Sequence, residues 1–173
     1  MTDFGRSLEI RLKKATDGRA SLACIRPDGS TTCQRDRTGG FFPIHDLTHY
    51  AVETVLRLGR GFFGIVAEGW DLTDFGPPWQ HGPLPTETLL AESIVGMLDL
   101  ERATGHLTSA DNLNDAVQQK LVQAGLDYRR EVSPDELVRI RAIRSELSGR
   151  WQALLPGDTM ILAFNLSDQP TAQ

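Results

Sequence analysis

Residues 7–14 alternate without a break, with Leu8, Ile10 and Leu12 on one face and Glu9, Arg11 and Lys13 on the other. A period of two predicts a strand with one dry and one wet face. A second strand is predicted near 19–26, with Leu22 and Cys24 on one face, and a third at about 30–35, beyond the turn signal Pro27-Asp28-Gly29. The chain thus opens as an antiparallel meander. After Gly39-Gly40 the period becomes helical. Residues 44–58 set Leu47, Ala51, Val55 and Leu58 at spacings of three and four, which predicts the first helix. A glycine-rich connection, Gly59 to Gly64, leads to a short apolar segment ending in Glu68-Gly69-Trp70.

Further helices are predicted at about 86–103, 109–124 and 133–154. The second runs from Ser109 to a stop at Gly125, and the third opens on Ser133-Pro134-Asp135-Glu136, a capping box with proline at the first helical position. Its inner face reads Leu137, Ile140, Ile143, Leu147, Trp151 and Leu154. Met160 to Phe164 form an apolar run suited to a buried strand. We place it in the N-terminal sheet, because a lone strand cannot satisfy its backbone. The expected fold is α+β: an N-terminal antiparallel meander joined by a C-terminal strand, packed against a bundle of four to five helices. It is read as a single domain over 1–173, with strands at about 7–35 and 158–166 and the helical part at about 44–155.

Composition narrows the partners. The chain is 40% hydrophobic and 24% charged, as in folded globular proteins. A net charge of −5 argues against nucleic acid, which calls for a clustered basic surface. No run approaches the roughly 20 apolar residues of a membrane span. Met1-Thr2-Asp3-Phe4 lacks the basic start and apolar run of a secretory signal, so a cytoplasmic location is expected. Cys24 and Cys33 are too few for a disulfide framework. A two-residue Asp28-Gly29 turn would set them opposite one another, whereas a three-residue Pro-Asp-Gly loop would put them on opposite faces. In a reducing compartment both read as ordinary strand residues.

The candidate chemistry lies on the first helix. His45-Asp46-Leu47-Thr48-His49 puts two imidazoles four residues apart on one helical face, where both can reach a single ion at about 2.0–2.1 Å for zinc. Two ligands leave a site incomplete. Glu53 continues the same stripe, although it could instead pair with Arg57, and Glu68 and Glu92 lie on the next two elements. Asp46 is offset by one residue from the first ligand. There it could face a metal-bound water, or it could serve the positive end of the helix as a first-turn carboxylate or cap. Glu92 and Asp99 share one stripe of a mostly apolar helix and are candidates to support the ligands.

The loop at 71–85 holds four of the nine prolines together with Trp79 and His81. It is too long and aromatic for a linker and is expected to pack against something, with His81 the favoured accessory group. Arg139, Arg141 and Arg144, with Arg129 and Arg130 upstream, read as a solvated basic strip able to offset nearby acids.

The stretch His45-Asp46-Leu47-Thr48-His49, then eighteen residues, then Glu68-Gly69-Trp70 resembles the gluzincin type of zinc metallopeptidase. That family carries a His-Glu-x-x-His helix and takes its third ligand from a glutamate on a following helix. The resemblance covers residues 45–70. It implies that His45, His49 and Glu68 bind zinc and that Asp46 stands where the family's general base stands. The His-Asp-x-x-His start is also similar to that of a ubiquinone-biosynthesis family, in which a glutamate follows after eleven residues; Gly61 occupies that position here. The reading that follows is a divalent-metal protein, with zinc as the metal and hydrolysis of a small-molecule or peptide substrate as its chemistry. The alternative is an interaction or structural domain with no metal.

Overall fold

The computed structural model describes residues 7–35 and 42–166. Three strands open the chain: β1 (Ser7–Lys14), β2 (Ala20–Ile25) and β3 (Thr31–Arg35). Five helices follow, α1 (Phe42–Leu56), α2 (Phe62–Glu68), α3 (Thr86–Thr104), α4 (Ala110–Gln123) and α5 (Pro134–Ala153), before β4 (Thr159–Asn165) closes the order. The fold is α+β, as the change of period from two to helical implies.

The sheet runs β3-β2-β1-β4, antiparallel throughout and open at both edges. β4 pairs with β1 in the register Leu8↔Phe164, Ile10↔Leu162 and Leu12↔Met160, so the buried positions of both strands fall on one face. Strand pairing satisfies the backbone of the C-terminal apolar run, and the alternating pattern decides which side of it is covered. The β2–β3 connection is the three-residue form. Arg26 N–H donates to Ser30 O at 2.9 Å, and Gly29 takes a left-handed φ of 84° that glycine adopts without strain. Ala23 therefore faces Cys33, and Cys24 faces Thr32. The cysteines point to opposite sides of the sheet, Cys24 buried and Cys33 exposed. Burial pushes the Cys24 thiol up to about 12, with the Asp46 charge adding to the effect.

α1 lies between two hydrophobic clusters. Ile44 and Leu47, from its first half, pack with Leu8, Ile10, Leu22 and Phe164 of the sheet. Ala51, Val52 and Val55, from its second half, pack with Leu90, Ile94 and Leu98 of α3 and with Leu137 and Ile140 of α5. A helix with core on several sides has few positions for polar groups, and each must find a partner inside. Polar ties hold the layers together. Tyr50 donates to Ala163 O at 3.0 Å, and Lys14 Nζ caps the end of α5 through Trp151 O at 2.8 Å and Leu154 O at 2.9 Å. The buried Arg26 guanidinium reaches Val66 O, Trp70 O and Asp71, fastening the sheet to the end of α2. Among the described residues, no helix is long and apolar enough to cross a membrane.

The 71–85 loop packs as its composition suggests. Phe75 meets Phe62 at 4.6 Å between ring centroids, and His81 stacks on Trp70 at 4.5 Å with Nε2 held by Asp74 at 2.9 Å. The ring of His81 is used to pin the loop. The arginines of α5 neutralise an acid: Glu101 is 3% exposed and takes hydrogen bonds from Arg141 at 2.6 Å, from Arg144 at 3.1 Å and from Thr108 N–H at 3.1 Å. Burial opposes its ionisation, but the two guanidinium groups outweigh that and hold the carboxyl below the usual carboxylate range.

A depressed folded-state pKa contributes stability that is complete above the unfolded-state value and is lost as pH falls through the folded one. Glu101→Gln leaves two partly buried arginines without their counter-ion and should cost about 2–3 kcal/mol at pH 7, discounted from fully buried pairs because both arginines retain some water. Urea titrations at pH 7 and pH 3.5 test this. The gap between wild type and variant should narrow at the lower pH, and an unchanged gap would mean that the charge is not what Glu101 contributes.

Candidate metal centre

α1 and α3 pack side by side and run in opposite directions, so that His45 sits beside Asp99 while His49 sits beside Glu92. His45, His49 and Glu92 each offer a ligand atom, and these atoms all lie within 4.8 Å of one another. They form the only such group among the described residues. His45 and His49 come together as their four-residue spacing predicts, their ring centroids 4.9 Å apart.

Both imidazoles are held from behind by a carboxylate. His45 Nδ1 meets Asp99 Oδ2 at 2.7 Å, and His49 Nδ1 meets Glu53 Oε1 at 3.1 Å. With its Nδ1 occupied, His49 presents Nε2 to the group, the arrangement in which a carboxylate fixes the tautomer and orientation of a metal-binding histidine. The His49 side chain is 1% exposed, and its Nε2 is buried with no hydrogen-bond partner. Glu92 Oε1 lies 3.2 Å from that nitrogen, close enough for an ion pair but off the N–H direction. A buried nitrogen without a hydrogen bond is costly unless something else occupies the position. For two donors bound to one ion at about 2.0–2.1 Å, neighbouring donor atoms lie about 3.0–3.4 Å apart, which includes the observed separation.

Glu53 is the most constrained member. It is fully buried and takes hydrogen bonds from Phe62 N–H at 2.8 Å and Phe63 N–H at 2.9 Å, the first two amides of α2. The residue preceding α2, Gly61, supplies no side-chain cap, so a carboxylate from the neighbouring helix does that work. Gly61 is required for it: a Cβ there would stand 2.5 Å from Glu53 Cδ. Burial raises the Glu53 pKa, against the opposing pull of His49 and the two amides. Burial likewise disfavours a charged His49, but Glu53 and Glu92 outweigh it and lift the imidazole to about 10 in the absence of metal. Glu92 is held below its ordinary value, the His49 charge prevailing over burial.

Two of the expected site residues lie away from this group. Glu68 ends α2 with its side chain 44% exposed and in a paired contact with Arg60 at 3.0 Å, and it is not in the three-residue group. Its place at the end of the short α2 and its pair with Arg60 keep Glu68 at the surface, while α3 brings Glu92 to the histidines. Asp46 is buried at 8% on the sheet side of α1, among Leu12, Ala20 and Leu22, where its charge acts on Cys24. Because α1 starts at Phe42, Asp46 also falls past the first turn, which contains no acidic residue. Glu53 bonds His49 and α2 through its carboxylate in place of an Arg57 pair. The Asp99–His45 contact could be read from sequence only as a shared stripe with Glu92.

No protein-family model, curated protein or solved structure matches this chain.

The backbone at Gly61, with φ −68°, accommodates alanine, so Gly61→Ala probes only the space beside Glu53. Displacing that carboxylate should weaken zinc binding by about 10–100-fold, read by competition with a chromophoric chelator. An affinity within twofold of wild type would show that Glu53 does not set the His49 ring. Loading has a pH signature as well. A metal-free His49 with its pKa near 10 is protonated at pH 7, whereas a ligand must be neutral, so zinc should displace about one proton and bind more tightly as pH rises toward 10. Calorimetry in buffers of different ionisation enthalpy measures that proton; a buffer-independent heat would contradict the expectation.

Proposed function

We propose that this protein binds a divalent metal, zinc in the first instance, through His45, His49 and Glu92. The observation that carries the reading is the His49 Nε2 atom, which is buried and without a hydrogen bond, faces Glu92 at 3.2 Å and belongs to a ring fixed at Nδ1 by Glu53. The donor set fits the ion: two imidazoles and one carboxylate are ligands zinc accepts, and iron or nickel accept them as well. Bound zinc would supply Lewis-acid chemistry and a more acidic bound water. The protein's own part is to hold the two rings in one tautomer through Asp99 and Glu53 and to keep His49 out of water.

Hydrolysis would need a proton acceptor beside the metal, and the side chain offered for that role, Asp46, faces the sheet. A second reading has an observation of its own. Without metal, an imidazolium at His49 lies between Glu53 and Glu92, and the three groups make a structural ion cluster.

Elemental analysis of the full chain, after zinc is supplied and excess removed, separates the two. Wild type should retain about one zinc per chain. His49→Ala and Glu92→Ala should each lower the affinity by at least about 100-fold, more than is typical for loss of a supporting carboxylate. Glu68→Ala should bind as wild type does. If wild type retains no zinc while its unfolding transition stays cooperative, the ion cluster is the correct account and the metal reading fails.

A further inference from the structure

Taking the metal reading as given, the placement of the three ligands says what else can reach the ion. All three come from two helices lying side by side, so protein covers the metal from one side. His49 forms the floor, 1% exposed and backed by the Phe62 ring at 5.3 Å between centroids. The outer ligands are wetter, with His45 at 21% side-chain exposure and Glu92 at 43%. His49 Nε2 and Glu92 Oε1, at 3.2 Å, are neighbours in the coordination shell; opposite ligands at such bond lengths stand about 4.2 Å apart. Among the described residues no fourth His, Cys, Asp or Glu joins the group. With all three ligands drawn from α1 and α3 and His49 buried beneath them, the remaining positions lie on the side of Glu92, toward solvent. That is the pattern of a metal that exchanges ligands, in contrast to a closed four-ligand structural site.

Charge sets the kind of ligand those positions favour. Glu92 carries one negative charge in the shell, and Glu53 and Asp99 stand directly behind the two imidazoles. With both rings neutral, a dication and these three carboxylates sum to one net negative charge. Among the described residues, Arg102 pairs with Asp99, its Nε 3.9 Å from Asp99 Oδ1 and its side chain 41% exposed. We infer that a metal on His45, His49 and Glu92 keeps an open, solvent-facing position that takes an uncharged nitrogen or oxygen donor, an amine, imidazole or carbonyl group, and is biased against anions by Asp99 and Glu53. The substrate class that follows is a neutral small molecule or peptide group bound directly to the metal.

Cobalt(II) is the probe, since its visible bands report on its ligands. The full chain is loaded with cobalt and titrated separately with imidazole and with azide, for wild type, Asp99→Asn and Arg102→Ala. The amide of Asp99→Asn keeps an oxygen to accept from His45 Nδ1–H while removing the charge. Wild-type bands should shift saturably with imidazole. The ratio of azide to imidazole affinity should rise about fivefold or more in Asp99→Asn, a charge a few ångströms away acting through partly screened medium, and should fall in Arg102→Ala. Using the ratio within each protein cancels the intrinsic preference of cobalt for either ligand. Bound cobalt whose bands respond to neither ligand would mean a closed shell and would overturn the inference while leaving the metal site standing. Ratios that do not move in either variant would overturn the charge bias, and Arg102→Ala supplies that answer should Asp99→Asn fail to load. Absence of His49-dependent cobalt bands altogether would instead defeat the metal reading itself.

Discussion

The carboxylate of Glu53 has no route to water, and the arrangement around it follows from that. It accepts from His49 Nδ1–H and from the first two amides of α2, and Gly61 is bare on the side against which it lies. A buried carboxylate left short of partners costs several kcal/mol, so these contacts are mutually required. The start of α2, the ring plane of His49 and the glycine before Phe62 are therefore one unit. The same amides that would otherwise be orphaned at a helix N-terminus supply the positive partial charge that lets an acid remain there.

That unit is placed by α1, which is shared between the sheet cluster and the helical cluster. The apolar positions of α1 decide its rotation, and its rotation decides that His45 and His49 face α3, that Glu53 meets the start of α2 and that Asp46 faces β1 and β2. Neighbouring residues on a helix are separated by about 100°, which is enough to send His45 and Asp46 into different environments. The antiparallel run of α3 then matches His45 with Asp99 and His49 with Glu92, seven residues apart on α3 and four on α1. Two turns of α3 thus span one turn of α1 at the site, each imidazole receiving its own acid.

Local periodicity carried most of the fold. Strands β1 and β4, the capping box of α5 and the three-residue Pro27-Asp28-Gly29 loop were readable because each is a contact within a few residues or a repeat of period two or 3.6. The histidine pair was readable for the same reason. Which of Glu53, Glu68 and Glu92 joins the pair was not, because it depends on which helix packs beside α1, and that is decided by the distant apolar contacts of Leu90, Ile94 and Leu98. Glu68 has the sequence spacing of a known metal motif but lies beside Arg60, which a motif spacing does not weigh. Glu53 was harder still. An exposed i,i+4 pair with Arg57 and a buried bond to an amide after a glycine turn look alike in sequence, and only the space beside Gly61 distinguishes them.

What occupies the space between His49 and Glu92 is decided by competition between a proton and a metal. With both imidazoles neutral, Asp99, Glu53 and Glu92 are three negative charges, the first two shielded from water, and such a group draws in a cation. A proton on His49 answers one charge and meets the Glu92 oxygen at 3.2 Å, but off the N–H direction. A dication answers two charges and is indifferent to the N–H direction, since it bonds the lone pair of Nε2 and the Glu92 oxygen from a position between them. Both readings therefore turn on His49, Glu53 and Glu92, and what separates them is the direction in which the ligand atoms point. That direction is set by Glu53 and Asp99, which lie behind the rings and fix which nitrogen faces Glu92.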